Sequence, residues 1–324
     1  MLYALAMLLV ADGYCSSLRV SPLTKPPVAY RLSNLRMAFS VEHDPVLIKS
    51  AKSSGRIPAA ASALTEAAAS KLVNSILISD VIVPEASVKA IPTTYAYFPS
   101  VKKRESVEPP SKSVFLGFSN IFGDKGGRKD PALIGHDPIV LIHGFDSSCV
   151  EFRRIAPILA EGGRDVYVLD ILGWGFNDHS DVSKFGPDEK MAHLQAFVEQ
   201  VVLQGSKGKA VVAGASLGGA LAITLAVQQP NLVSSLVLID AQGFIDGDGP
   251  KEDLPDAAAK LGIAVLRSWP LRMFANIIAY SDRSFATWEA MNVGRLHCDN
   301  PSWERASVAF LKSGGFVISR LVGL

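Results

Sequence analysis

The 324-residue sequence predicts an α/β fold, a mostly parallel sheet with helices on both faces. Three observations carry that expectation. Short runs rich in Val, Ile and Leu alternate with helical patterns through the second half of the chain. Hydrophobic residues make up 48% and charged residues 19%, enough to fill one sizeable core and too apolar for a mostly disordered chain. Thirdly, Gly214-Ala215-Ser216-Leu217-Gly218 stands where one such strand run meets a helical pattern. With 32 Lys+Arg against 31 Asp+Glu the formal charge is +1, so no strong field favours nucleic acid.

The first 41 residues hold a single acid, Asp12, against Arg19, Lys25, Arg31 and Arg36, with five serines. Such a bias fits an organelle transit sequence, plastid or mitochondrial, over residues 1–50. A secretory signal is the competing reading, because Leu2 to Ala11 resembles an apolar h-region. That run is about half the ~20 residues a membrane-spanning helix needs. Residues 51–100 read as a helical or disordered arm, with Leu64, Ala68, Leu72 and Ile76 at i+4 spacing predicting one amphipathic helix from Pro58 to Asp80. A polar stretch from Lys102 to Lys112 with Pro109-Pro110 places a boundary near residue 100. Cys15, Cys149 and Cys298 lie too far apart to suggest a zinc or redox pair.

Beyond the boundary, Ser113 to Phe118, Pro138 to Ile142, Val166 to Leu169, Ala210 to Ala213 and Leu236 to Ile239 read as strands, most of them buried on both faces. Helices are expected over Cys149 to Ala160, over Pro187 to Gln204 and over Ser216 to Gln229, the last closed by Pro230. Residues 249–313 give helical patterns containing Trp269, Trp288 and Trp303, and read as an insertion lying over the sheet.

A strand that turns abruptly into a helix lifts the intervening residue clear of the sheet, and glycines flank it where side chains would collide. Gly214 and Gly218 occupy those positions, and Ser216 is the expected nucleophile at a helix N-terminus that favours negative charge. The strand from Pro138 ends in His143-Gly144-Phe145-Asp146, a turn able to aim a backbone N–H at the same point. The main-chain amides of Phe145 and Leu217 are therefore expected to form an oxyanion hole, with His143 and Gly144 shaping the turn.

With a third turn, Asp170-Ile171-Leu172-Gly173-Trp174-Gly175-Phe176-Asn177-Asp178, the chain from about residue 113 onward resembles the α/β-hydrolase superfamily, particularly plant plastid-type members related to meta-cleavage-product hydrolases. The family carries this turn as G-x-G-x-S-D, so Asn177 replaces a serine, and Asp170 and Asp178 are expected to organise the loop. The resemblance implies strand order 1-2-4-3-5-6-7-8, and a serine acylated with help from a histidine base and an orienting acid. Family members supply those two groups beyond a segment like Phe310 to Phe316. Here Leu324 comes first, so the expectation is a shortened hydrolase product lacking its last two strands, with Leu236 to Ile239 left as an apolar edge.

Asp240, at the end of a strand, is a candidate substitute acid or a loop anchor. His179, His193 and His297, like His43 and His136, do not sit where a base is expected, and His193 falls on the polar face of its helix. The functional expectation is ester or carbon-carbon bond hydrolysis of a small apolar ester or ketone-type substrate, weakened or abolished by the missing base. The alternative is a non-catalytic ligand-binding or interaction protein using the same lidded site. No metal or organic cofactor is implied.

Overall fold

A computed structural model describes residues 48–84, 86–100, 137–205, 208–242, 250–251 and 253–316. The expected leader up to residue 47, the strand at Ser113 to Phe118, His43 and His136 lie outside the described residues.

Seven strands form one sheet: β1 (Lys49–Ser50), β2 (Leu77–Val81), β3 (Ile91–Phe98), β4 (Ile139–Ile142), β5 (Val166–Leu169), β6 (Ala210–Ala215) and β7 (Val233–Ile239), in spatial order β1-β2-β3-β5-β4-β6-β7. β4, β5, β6 and β7 are parallel, whereas β1, β2 and β3 run antiparallel to their neighbours. Every residue of β4, Ile-Val-Leu-Ile, is buried, as a central parallel strand covered on both faces requires. The period of two divides them: Val140 and Ile142 join Leu169, Phe197 and Leu221 in one core, while Ile139 and Leu141 join Leu72, Phe152 and Ala213 in the other.

Helices cover both faces: α1 (Ala67–Asn74), α2 (Ile155–Glu161), α3 (Pro187–Phe197) and α4 (Leu217–Gln228). The helical segment then contributes α5 (Asp256–Arg267), α6 (Trp269–Ala279), α7 (Trp288–Arg295) and α8 (Trp303–Ser313). Pro187 at the first turn of α3, followed by Asp188 and Glu189, suits that N-terminus. Gly314 closes α8 in the left-handed conformation, φ 78°.

Three expectations need correction. The segment from Pro58 to Asp80 is not one helix: Ala59–Ala63 form a 3-10 turn, α1 follows, and β2 begins at Leu77. The i+4 spacing ran on into Ile76, but Leu77 to Val81 belong to a stretch rich in β-branched residues that finds a partner in β3, and tertiary pairing overrides a local pattern. Nor are residues 51–100 an arm apart from the sheet. Tyr95 pairs with Leu169 and Phe98 with Val166, so β3 bridges this region directly to β5. Finally, the helix expected over Cys149 to Ala160 breaks into a 3-10 turn, Cys149–Phe152, and α2.

β7 is the edge of the sheet among the described residues, and Leu236, Val237, Leu238 and Ile239 are all exposed.

Candidate active site

Ser216 sits between the last residue of β6 and the first of α4 with φ 51° and ψ −119°, a left-handed backbone that a serine rarely adopts. Hydrogen bonds hold it there. Its N–H donates to Ile239 O at 3.1 Å, and its carbonyl accepts from Gly219 N at 2.9 Å and Gln242 N at 2.8 Å. The flanking glycines are steric necessities: a Cβ on Gly214 would lie 2.1 Å from Gly218 O, and one on Gly218 would lie 2.3 Å from Ile142 O and 2.5 Å from His143 O. The bend therefore presses α4 against the end of β4. Ser216 remains half-buried, at the start of a helix whose first N–H groups lack intrahelical acceptors.

The turn after β4 meets this bend. A Cβ on Gly144 would stand 3.4 Å from Ser216 Cβ and 4.0 Å from its Oγ. His143 is fully buried. Its Nε2 accepts from Ile171 N at 3.0 Å, which leaves Nδ1 as the donor to Gly144 O at 2.8 Å. Burial pushes its pKa down to about 3, so the ring is a neutral brace between two turns. Gly144 N donates to Glu151 Oε2 at 3.2 Å.

Asp170 ties the third turn to both neighbours, accepting from Thr94 Oγ1 and Cys149 N, each at 2.6 Å, and from Phe176 N at 3.1 Å. Gly175, φ 66°, is needed because a Cβ there would stand 2.0 Å from Asp170 Cγ. Asn177 accepts from Thr94 N at 2.6 Å and donates to Asp170 O at 2.9 Å, so the amide fills a structural place in the loop. Asp178 pairs with Arg56.

The other described histidines are fully buried and engaged elsewhere. His179 Nε2 accepts from Gly173 N at 2.9 Å, with Nδ1 3.3 Å from Ser302 Oγ. His193 meets Thr93 Oγ1 at 2.8 Å, inside the protein and not on a polar helix face. Burial lowers both to about 3. His297 Nε2 donates to Asp146 Oδ1 at 2.8 Å. Burial opposes its charge, but neighbouring Cys298 and Asp146 raise its pKa to about 9, so it is an imidazolium. Among the described residues no imidazole hydrogen-bonds Ser216. Asp240, φ 45°, lies exposed just past β7, with no described imidazole bonded to it.

Two features had no signal in the sequence. One is the cluster around buried Asp146: Oδ1 also accepts from Trp303 Nε1 at 2.7 Å and Oδ2 from Arg272, while Arg272 donates to Cys298 Sγ at 3.1 Å. Burial alone would raise this carboxyl, but the Arg272 guanidinium and the His297 and Trp303 hydrogen bonds hold it below the usual carboxylate range. Asp146, His297 and Cys298 place ligand-type atoms within 4.8 Å of one another, yet the guanidinium already bonds the carboxylate and the sulfur, leaving a cation where a metal would go. The other is Lys190, fully buried, donating to Leu172 O with its Nζ 3.7 Å from the centroid of Trp174. Trp174, Phe145 and Phe310 pack at ring separations of 5.1–5.9 Å, an aromatic wall beside the turn after β4.

Two described cavities lie away from Ser216. One, of 240 Å³, sits between the Ala59–Ala63 turn and α7, and one of 140 Å³ is lined by Tyr95, Tyr97 and Tyr167.

Residues 137–275 match the family described as alpha/beta hydrolase fold. The chain is 36% identical over 187 residues to the alpha/beta hydrolase domain-containing protein VTE7 of Arabidopsis thaliana, covering 57% of this chain and 56% of that protein. It is 25% identical over 162 residues to Lipase 3 of a Moraxella species, covering 50% and 48%. The chain thus spans about half the length of the curated relatives it matches. A probable hydrolytic enzyme of Pseudomonas aeruginosa shares its fold with a TM-score of 0.52 at 17% identity, over 76% of this chain and 70% of that one. The strand order, the serine bend between β6 and α4 and these similarities agree: the chain has the α/β-hydrolase fold, and residues 137–275 are similar to that family.

Proposed function

We propose that Ser216 is the nucleophile position of a serine-type hydrolase site, with the main-chain amides of Phe145 and Leu217 as the donors to a tetrahedral oxyanion. The observation that carries this is the contact between the two turns, Gly144 against Ser216, with the serine in a strained left-handed backbone at the start of α4. The reaction class is acyl transfer to water on a small apolar ester, or hydrolysis of a carbon-carbon bond beside a ketone.

A serine hydroxyl needs a proton acceptor. All four described imidazoles are buried and hydrogen-bonded away from Ser216: burial keeps His143, His179 and His193 neutral, and His297 donates to Asp146, while the Nδ1 atoms of His193 and His297 have no partner among the described residues. Asp240 is exposed. On this basis the described residues support weak turnover only, of the order of the ~10³ to 10⁴ acceleration over water that binding and an oxyanion hole supply without a triad. The same commitment of the histidines supports a second reading, a ligand-binding protein that keeps the site without turnover. For residues 1–50 the composition supports delivery to a plastid, tested by the location of a fluorescent fusion carrying them.

A fluorophosphonate probe decides the first point. Labelling of the parent at Ser216, abolished in Ser216→Ala, supports the nucleophile. A folded parent that resists the probe, yet retains an apolar ester as tightly as Ser216→Ala does, supports the binding protein.

A further inference from the structure

The turn between β4 and Asp146 is gripped from two sides. Its first half is held by sheet-side groups: His143 by Ile171 N at 3.0 Å, and Gly144 by Glu151 at 3.2 Å. Its last residue, Asp146, has φ 51°, a backbone that a non-glycine keeps only when its surroundings insist. Those surroundings come from the helical segment. Among the described residues, the side-chain donors to the Asp146 carboxylate are Arg272 of α6, His297 of the 3-10 turn Leu296–Asp299 and Trp303 at the start of α8, residues 126, 151 and 157 positions away.

Arg272 is itself fully engaged. Its Nε donates to Leu266 O in α5 and one Nη to Gly294 O in α7, both at 3.0 Å, while the other Nη serves Asp146 and Cys298. One guanidinium therefore locks α5, α6, α7 and the 3-10 turn onto a single carboxylate, and Phe145 stands between the sheet-held and helix-held halves.

We infer that Asp146 is a positioning residue that couples the direction of the Phe145 amide to the packing of α5 to α8, so that displacement of those helices disassembles the anion-binding side of Ser216. The role of the amide rests on the function proposed above; the mechanical coupling does not. A buried acid that merely stabilised the fold would be expected to loosen the sheet and the turn together when its partners are removed. A tether loosens the turn more than the sheet.

Residue-resolved amide hydrogen exchange on the full chain separates the two. In Arg272→Met, which keeps an aliphatic stem, exchange at residues 144–146 should rise at least tenfold more than at residues 139–142 of β4, whose rates follow the global loss of stability. Arg272→Lys should recover part of the protection, and Trp303→Phe, which removes one donor and keeps a ring, should move the same amides less far. Unchanged exchange at 144–146 in folded variants, or an equal rise in β4, overturns the inference. Should Arg272→Met not fold, Trp303→Phe against the parent decides it alone. Exchange needs no turnover, so a parent that fails to label with fluorophosphonate sinks the nucleophile reading and leaves the tether standing or falling on its own data. Where the parent does label, Arg272→Met should lower the maximal labelling rate at least tenfold without raising the half-saturating probe concentration.

Discussion

Gly144 packs directly on Ser216: a Cβ added to the glycine would lie 3.4 Å from Ser216 Cβ and 4.0 Å from the hydroxyl oxygen. These are ordinary contact distances, so a methyl fits, but it occupies the approach between the hydroxyl and the turn. Gly144→Ala should fold with a stability within about 1 kcal/mol of the parent, and should slow fluorophosphonate labelling at least tenfold. Labelling at the parent rate would mean that the reacting group approaches from another side.

Gly218 offers no such room. In Gly218→Ala the new carbon would meet the carbonyl oxygens of Ile142 and His143 at 2.3 and 2.5 Å, and backbone cannot step aside as a flexible side chain can. A loss of about 1–3 kcal/mol or more is expected from the overpacking, read as a lower urea midpoint with an unchanged slope.

Asp146→Ala should be among the most damaging single changes. It strands the Arg272 guanidinium and the His297 imidazolium in the interior without their counter-charge. Breaking a buried pair from one side costs about 3–5 kcal/mol. Chemical denaturation of Asp146→Ala and of Asp146→Asn measures it; a loss near zero in both would mean that water reaches this cluster.

Taken alone, the buried histidines give stability a maximum near neutral pH. His143, His179 and His193 titrate at about 3 in the folded protein against 6.5 unfolded, so the unfolded chain binds more protons between those values. Stability is complete above about 6.5 and falls as the pH drops below it, by about 1.4 kcal/mol per pH unit for each ring. His297 works in the opposite direction. Its folded value of about 9 exceeds its unfolded one, so its contribution is complete below about 6.5 and is lost as pH rises through 9. Buried Lys190, whose ammonium form is disfavoured by burial, works against His297 on the alkaline side, so urea midpoints should fall below about pH 6.5 and His297→Gln should make the alkaline limb climb relative to the parent. An unchanged alkaline limb in that variant would remove the imidazolium assignment.

β7 presents exposed Leu236, Val237, Leu238 and Ile239 along the edge of the described sheet. Apolar edges recruit other strands, and a lysine on them is a common deterrent. The parent should associate with rising concentration in light scattering, and Val237→Lys should suppress that association. Equal scattering from both would acquit the edge.

Several parts of this architecture were legible in the chain because they are local. Val166 to Leu169 and Ala210 to Ala213 are apolar runs that need burial on both faces, and each is a strand where the pattern placed it. The serine bend was legible because Gly214 and Gly218 answer a steric demand within five residues. The fate of residues 51–100 was not, since Leu77 to Val81 and Ile91 to Phe98 are moderately apolar and become strands only by pairing with each other and with β5. The histidines were equally opaque. His193 is four residues from Phe197 on an ordinary helix, and nothing nearby announces that Thr93 waits a hundred positions upstream.

The sequence by itself determined the order of strands and helices from β4 to α4 and the position of the serine between two necessary glycines, because backbone sterics and burial periodicity act over a few residues. Only the tertiary structure decided that β2 and β3 complete the sheet, that every described imidazole is hydrogen-bonded away from Ser216, and that Asp146 gathers Arg272, His297 and Trp303. Many of those contacts join points far apart in the chain, those at Asp146 across 126 to 157 residues, and their partners are chosen by sheet order and by the cost of leaving a buried charge alone, neither of which a local pattern records.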